Sequence, residues 1–315
     1  MKILITPRSF ASFSDKSLKM LAERNYKIER NNTGRPYEKE EMLKLIKDID
    51  GIIIGIDELS AVIIGKANKL KVISKYGTGL DNIDIDVATN KKIIVTNTPT
   101  ANVDAVADFA FGLILSLARR IPEADKKTKS GKWGKIIGKS VWEKTIGIIG
   151  LGKIGKQVAK RAKGFDMNIL AFDIVKDKKS AKKYGIKYVK LEKLLRKSDY
   201  ITIHIPLNYA TRNMISYEEL EKIKESAFLI NTSRGGIVDE EALYDALKNN
   251  KLRGAALDVY KNEPLRGSPL TELDNVIMTP HISAYTEEAI ENMSIQAAQN
   301  LIDVLEGREP QNRVN

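Results

Sequence analysis

The stretch KTIGIIGLGKIG, Lys144 to Gly155, decides how the rest of the chain is read. Thr145 to Ile149 reads as a short buried strand, and Gly150, Gly152 and Gly155 follow it at once in the spacing GxGxxG. Glycine-rich turns are common, so the spacing alone says little. Its surroundings say more. The glycines open a helical pattern whose inner face is Ile154, Val158, Ala162 and Phe165, and the next apolar run, NILAF, ends in an acid, Asp173. That is a complete βαβ unit of about thirty residues, the form of a dinucleotide site. Gly150 permits the tight turn, Gly152 lets a pyrophosphate approach the backbone, and Gly155 lets the helix pack on the strand. Amides at the start of the helix face the negative charge. Asp173 can accept from a ribose 2′-hydroxyl and would repel a 2′-phosphate, which favours NAD over NADP. Lys176, Lys178 and Lys179 lie just beyond and are compatible with a phosphate. The plain alternative is a dinucleotide fold that binds nothing.

Outward from this unit, short β-branched runs alternate with helical patterns. KILIT, DGIIIG, LKVISKY and KIIVTNT fall in the first hundred residues, and TIGIIG, NILAFD, YITIHIPL, AFLINTS, GAALDV and NVIMTP in the second series. The alternation predicts α/β architecture with parallel sheets. A chain of 315 residues is long for one core, so two domains are expected. Between the series, Thr100 to Ile121 reads as one helix so apolar that it must be buried or lie at a subunit contact. The last helix carries Thr286 as its N-cap and Gly307 as its stop. Its apolar face, Ile290, Met293, Ala297, Leu301 and Leu305, needs cover.

Composition narrows the function. Hydrophobic residues make up 43% and charged residues 30%, as in a folded globular protein. No run is long enough to span a bilayer, and the N-terminus lacks the features of a signal peptide, so no membrane role is expected. There are no cysteines, which excludes disulfides and thiolate chemistry and fits the cytoplasm. With only two histidines besides, no protein-bound transition metal is expected. The net charge of +11 is read as a dispersed lysine surface that attracts small anions. The lysines do not interleave with aromatics, so no nucleic-acid partner is expected.

In an open parallel sheet, ligands bind beyond the carboxyl ends of the strands. There the second series places Arg234, Asp258, Glu263 and His281. Each has a plain alternative: Arg234 capping a turn, the two acids solvated in loops, His281 a satisfied structural histidine. Together at one edge they suit hydride exchange with a 2-hydroxy acid. Arg234 would hold the carboxylate and polarise the 2-oxo group. His281 would move the hydroxyl proton, and Glu263 would orient and stabilise its imidazolium. The other histidine, His204, lies inside a strand run and reads as structural. In the first series, SKYGTGLDNID follows a strand, and successive amides at Gly77, Thr78 and Gly79 are candidates for an anion-binding nest, with Lys75 adding charge.

YGTGLDNID, GIIGLGKIG, INTSRGGIVDEEAL, ALDVYKNEP and TPHIS, in this order, resemble the D-isomer-specific 2-hydroxyacid dehydrogenases, most nearly the D-3-phosphoglycerate branch. The resemblance implies two Rossmann-like doubly wound domains with the active site in their cleft. One is a flavodoxin-like substrate domain, residues 1–98 with 286–315. The other is an NAD-binding Rossmann domain, residues 99–285. It implies a catalytic trio of Arg234, Glu263 and His281. Cofactor contacts are implied at Thr78, Gly150, Gly152, Lys153, Ile154, Gly155, Asp173, His204, Ile205, Pro206, Thr232, Ser233, Asp258, Ser283 and Ala284. Lys75, Tyr76, Gly77, Thr78, Gly79 and Arg234 would meet a small anionic substrate. A homodimer through the NAD domain is implied, with the apolar segment at 100–121 near the contact. Ser283 stands where the family often has glycine, and Lys75 where phosphoglycerate enzymes often have arginine. The chain stops soon after Gly307, so the serine-binding regulatory domain of longer relatives, and feedback by serine, are not expected. The activity implied is NAD-dependent oxidation of D-3-phosphoglycerate to 3-phosphohydroxypyruvate in serine biosynthesis. Glyoxylate, hydroxypyruvate or D-lactate chemistry is the alternative within the family, and an NAD-sensing binding protein the remote one.

Overall fold

The computed structural model describes residues Met1–Asn315 as two compact units, Met1–Asn102 with Ala284–Asn315, and Val103–Ser283. No helix is long and apolar enough to cross a membrane.

The first unit is built on β1 (Lys2–Ile5), β2 (Lys27–Arg30), β3 (Gly51–Ile54), β4 (Val72–Lys75) and β5 (Ile94–Thr96). All pairs are parallel, in the order β2-β1-β3-β4-β5, a flavodoxin-like doubly wound sheet. Helices α1 (Lys16–Ala22), α2 (Lys39–Leu45), α3 (Ala61–Gly65) and α4 (Ile85–Asn90) make the crossovers. β3 is buried at every position, as a strand covered on both faces must be. The final helix, Glu287–Leu305, belongs to this unit. Its apolar residues Ile290, Met293, Ala297, Leu301 and Leu305 are buried, and Ser74 on β4 donates to the Ala297 carbonyl at 2.8 Å. Thr286 caps it by accepting the Ala289 amide at 3.1 Å.

The second unit begins with α5 (Val103–Arg119) and α6 (Ile121–Lys129). The single helix expected over 100–121 breaks at Arg120, which adopts the left-handed conformation at φ 53°. Then come β6 (Thr145–Ile149), α7 (Lys153–Lys163), β7 (Asn168–Phe172), α8 (Lys178–Tyr184), β8 (Lys187–Tyr188), α9 (Leu191–Lys197) and β9 (Tyr200–Ile203). α10 (Tyr217–Lys222), β10 (Phe228–Asn231), α11 (Glu240–Lys248), β11 (Gly254–Leu257) and β12 (Val276–Met278) complete it. Seven parallel strands run in the order β8-β7-β6-β9-β10-β11-β12. The order reverses between β6 and β9, and that switch point is where an open α/β sheet leaves a crevice.

Two strands carry no apolar signal in the sequence. β2, KIER, and β8, only two residues long, are edge strands with partly exposed side chains, so nothing forces them to be apolar.

Candidate active site

The strand register aligns one row of residues just past the carboxyl edge of the second sheet. Ile149 pairs with Phe172 and Ile203, Ile203 with Asn231, Asn231 with Leu257, and Leu257 with Met278. The next residues in each strand are therefore Asp173, Gly150, His204, Thr232, Asp258 and Thr279, in spatial order. Five of these six are polar.

The glycine turn fits a dinucleotide. Gly150 sits at φ +93°, and a Cβ there would lie 2.5 Å from the His204 carbonyl oxygen. A Cβ on Gly155 would lie 2.1 Å from the Gly150 carbonyl oxygen, so only glycine lets α7 close onto β6. At Gly152 the same test meets open space. No side chain caps α7 there, so the first-turn amides of Lys153, Ile154 and Gly155 are left for an outside acceptor. Beside this turn, Thr232 Oγ1 and His204 Nδ1 are enclosed polar atoms without a partner. Asp173 accepts the Leu151 amide at 2.6 Å and the Val175 amide at 2.8 Å, which fixes a negative charge next to the open space. Open room, unpaired amides and orphaned polar atoms are what a pyrophosphate and its nucleosides require.

On the other side of the switch point, three turns converge. Asn231 ties the first: its Oδ1 accepts from the Ser233 amide and hydroxyl at 3.1 and 2.8 Å, and its Nδ2 donates to the Arg234 carbonyl at 2.9 Å. Arg234 donates to the Ser233 carbonyl at 2.7 Å. Gly235 presses this turn onto the next, since a Cβ there would lie 1.9 Å from the Tyr260 carbonyl oxygen. In that second turn Glu263 accepts the Tyr260 amide at 3.0 Å on one oxygen. With the other it accepts from His281 Nδ1 at 2.7 Å. Half-burial opposes charge on Glu263. The bonds from His281 and Tyr260 and the charges of His281 and Arg234 outweigh it, and hold the carboxyl below its ordinary range.

His281 itself has φ 55°, a left-handed conformation that costs a non-glycine residue roughly 1–3 kcal/mol unless its surroundings impose it. Asp258 imposes it. Its Oδ1 accepts from the Thr279 hydroxyl at 2.7 Å and the Ile282 amide at 2.9 Å, and its Oδ2 accepts the Ser283 amide at 2.9 Å. Asp258 has no exposed surface. Both oxygens are used inside the chain, so besides the cofactor contact expected of it Asp258 holds the loop that presents His281. Ser283 is packed into the same knot. Because Glu263 fixes Nδ1 as the donor, Nε2 is the nitrogen left for a substrate.

His204 needs correction. β9 ends at Ile203, so His204 stands at the sheet edge and not inside the strand. Its Nε2 lies 2.9 Å from Thr202 Oγ1, and burial pushes it down to about 3, so it is neutral. Ile205 is half-buried against Gly150, and Pro206 is exposed, its carbonyl accepting from Thr211 at 2.7 Å.

In the first unit, Gly77 takes φ +126°, and its amide donates to Thr98 Oγ1 at 2.9 Å. The expected three-amide nest is thus reduced to Thr78 and Gly79, whose amides have no partner within the chain. Tyr76 is buried, its hydroxyl 3.2 Å from Ser9. Lys75, expected to bring charge to this loop, is buried as well. Its ammonium donates to the Gly55 carbonyl at 2.6 Å and to Asn82 at 2.7 Å. Ala284 is the first residue of this unit after the His281 loop. Asn231 and Thr279 are the working residues the sequence reading missed. Their only signal is a polar side chain at or just past the end of an apolar run.

Comparison with known proteins agrees with this geometry. Residues 111–283 match the family model described as D-isomer specific 2-hydroxyacid dehydrogenase, NAD binding domain. A glyoxylate reductase of Korarchaeum cryptofilum is 40% identical over 301 residues, covering 93% of this chain and 91% of that protein. A D-3-phosphoglycerate dehydrogenase of Methanocaldococcus jannaschii is 44% identical over 281 residues, 88% of this chain but 54% of that longer protein. Among solved structures, the D-lactate dehydrogenase of Aquifex aeolicus, complexed with NAD and lactic acid, superposes with a TM-score of 0.87 at 29% identity, covering 99% of this chain and 98% of that one.

Proposed function

The chain belongs to the D-isomer-specific 2-hydroxyacid dehydrogenase family, and on that premise we propose that His281 is the residue that moves the proton as a small D-2-hydroxy acid and its 2-oxo acid are interconverted. The observation that carries this is the 2.7 Å bond between Glu263 and His281 Nδ1, which leaves Nε2 for the substrate oxygen. Bound NAD supplies the hydride acceptor or donor. In the oxidative direction Nε2 takes the hydroxyl proton, and the Glu263 carboxylate offsets the charge that forms on the ring. Arg234 steadies the substrate carboxylate and the developing 2-oxo group with its planar fork. Within the first unit, the unpartnered Thr78 and Gly79 amides form a small anion cradle of their own.

For the substrate we favour a small acid without a phosphate, glyoxylate or hydroxypyruvate. Lys75, one of the charges counted toward a phosphorylated substrate, has its ammonium engaged by Gly55 and Asn82. D-3-phosphoglycerate is the second reading, supported by Arg8, exposed just past β1, and by the net charge of +11. NADH consumption on glyoxylate and hydroxypyruvate, compared with NADH formation on D-3-phosphoglycerate in one buffer, separates them. The expected result is kcat/KM at least about tenfold higher for the oxo acids. The reverse ranking would install phosphoglycerate. Turnover of none, with NADH still bound, would indicate a dinucleotide sensor.

A homodimer is part of the same proposal. Trp133, Ile137 and Trp142 of the second unit are 93%, 82% and 57% exposed, an apolar run that suits a covering copy. A monomer mass in solution would remove it.

A further inference from the structure

The amino edge of the second sheet, opposite the row that holds His204 and Asp258, gathers charge that the hydride chemistry does not use. Here too the register aligns residues. The Asp199 amide donates to Thr145, the Phe228 amide to Asp199, and the Arg253 amide to Ala227, at 2.8, 3.0 and 3.1 Å. A cavity of about 120 Å³ opens at this edge, with Lys139, Lys144, Ser140, Ser226 and Asp199 around it. The stacked rings of Tyr200 and Phe228, 5.4 Å apart, line it from the core.

Four cations, Lys139, Lys144, Lys224 and Arg253, stand near the one carboxylate, Asp199. Asp199 is already committed: it accepts the Thr145 amide at 2.9 Å and Lys224 Nζ at 2.9 Å. Lys139 donates only to the Ser226 carbonyl, at a long 3.3 Å. Lys139, Lys144 and Arg253 make no ion pair with any carboxylate. Burial, and then the charge of Arg253 with those of Lys144 and Lys224, outweigh the opposing charge of Asp199 and push Lys139 below the usual lysine range. A water takes about 30 Å³, so the cavity has room for about four waters or one tetrahedral oxyanion. Two serine hydroxyls at the rim add donors.

We propose that this pocket binds a small dianion of phosphate chemistry, either inorganic phosphate or the phosphate group of a small metabolite, at a site separate from that of hydride transfer. The anion would pair with Lys139 and Lys144, the two cations that line the cavity, and offset the repulsion among the cations.

The test is phosphate binding by calorimetry, with saturating NADH present so that the N-terminus of α7 is filled, against potassium chloride at matched ionic strength. Wild type should bind inorganic phosphate with one site per chain and show no matching response to chloride. Lys139→Gln with Lys144→Gln should weaken phosphate at least about tenfold, since each removes a charge-assisted bond. NADH affinity and turnover should not change. A control addresses diffuse attraction. Residues 174–197 carry ten basic and two acidic side chains, so Lys182→Gln with Lys183→Gln should leave phosphate binding intact. Equal loss in that control, or an equal chloride response, would overturn the proposal. If the double variant does not fold, Ser226→Glu, on an exposed rim residue, places a carboxylate beside Lys139. Unchanged phosphate affinity in Ser226→Glu would sink the site. Tighter binding of glycerol 3-phosphate than of phosphate would assign it to a metabolite, and the reverse to the free ion.

Discussion

The regions after β9 and after β12 each hold one of the chain's two histidines, and they treat it in opposite ways. After β9, His204 is part-buried, its ring bonds only to Thr202, and burial pushes that ring down to about 3. After β12, His281 is 42% exposed and its ring is tied to Glu263. Same residue, same sheet edge, different work. A proton carrier near neutral pH needs an accessible nitrogen and a countercharge for its cationic form. Only the second region supplies both. Proximity to the edge of the sheet therefore does not by itself make a histidine chemical.

The most severe way to break the contrast is to remove the ring that is expected to act. His281→Ala should lower kcat by about 10²–10⁴-fold, the worth of a positioned acid–base group, while NADH affinity moves less than about threefold. Equal losses in both would mean that the residue builds the site and does not act in it. Glu263→Ala makes the second region resemble the first, a histidine without a carboxylate. It should cost about 10²-fold in kcat with KM nearly unchanged. Asp258→Asn probes the scaffold beneath. It places an amide nitrogen among three donors, so stability should fall by about 2–4 kcal/mol in a urea titration, with a smaller loss of kcat as His281 drifts. A stable protein with normal turnover would show that the loop holds itself.

The first region predicts a pH effect in stability instead of rate. His204 binds its proton near 6.5 when unfolded and near 3 when folded. Below pH 6.5 the unfolded chain takes a proton that the folded chain refuses. Stability is therefore full above that value and declines as the pH falls toward 3. The slope is at most about 1.4 kcal/mol per pH unit, so about 2 kcal/mol is lost between pH 6.5 and pH 5. His204→Asn should flatten that part of the curve in denaturant melts at the two pH values. An unchanged slope would move the acid sensitivity to other groups.

Much of this is legible before any coordinates, for a physical reason. The glycines at 150 and 155 are demanded by close backbone contacts, so composition records them. Apolar strands buried on both faces announce themselves in the same way. Edge strands do not: β2 and β8 meet solvent, and their residues are free to be polar. The reading of ITIHIPL as one strand fails because alternation continues past the last paired residue, Ile203. The in-chain roles of Asp258 and Lys75 are hidden for another reason. A buried charge can face a ligand or its own chain, and its type does not say which. Its partners lie far off in sequence: Thr279, Ile282 and Ser283 for Asp258, and Gly55 for Lys75.

The smallest expected effect concerns the far end of the same row, where Asp173 is a charge held ready where His204 is a charge refused. Its carboxylate accepts two amides, from Leu151 and Val175, and both remain compatible with a ribose hydroxyl as a third donor, since each oxygen has two acceptor sites. A 2′-phosphate brought to that position meets a fixed negative charge. Lys176, Lys178 and Lys179 are exposed beyond it and pull the other way. If the carboxylate dominates, Asp173→Ala should shift the ratio of kcat/KM for NADP over NAD upward by about tenfold, one charge repulsion in partly solvated surroundings. If the lysines already dominate, the wild type should use both cofactors within a few-fold and the substitution should hardly move the ratio. Titrating both reduced cofactors against wild type and variant by fluorescence distinguishes the cases without turnover. The binding ratio should track the kinetic one, because the 2′ position is remote from the reacting carbon.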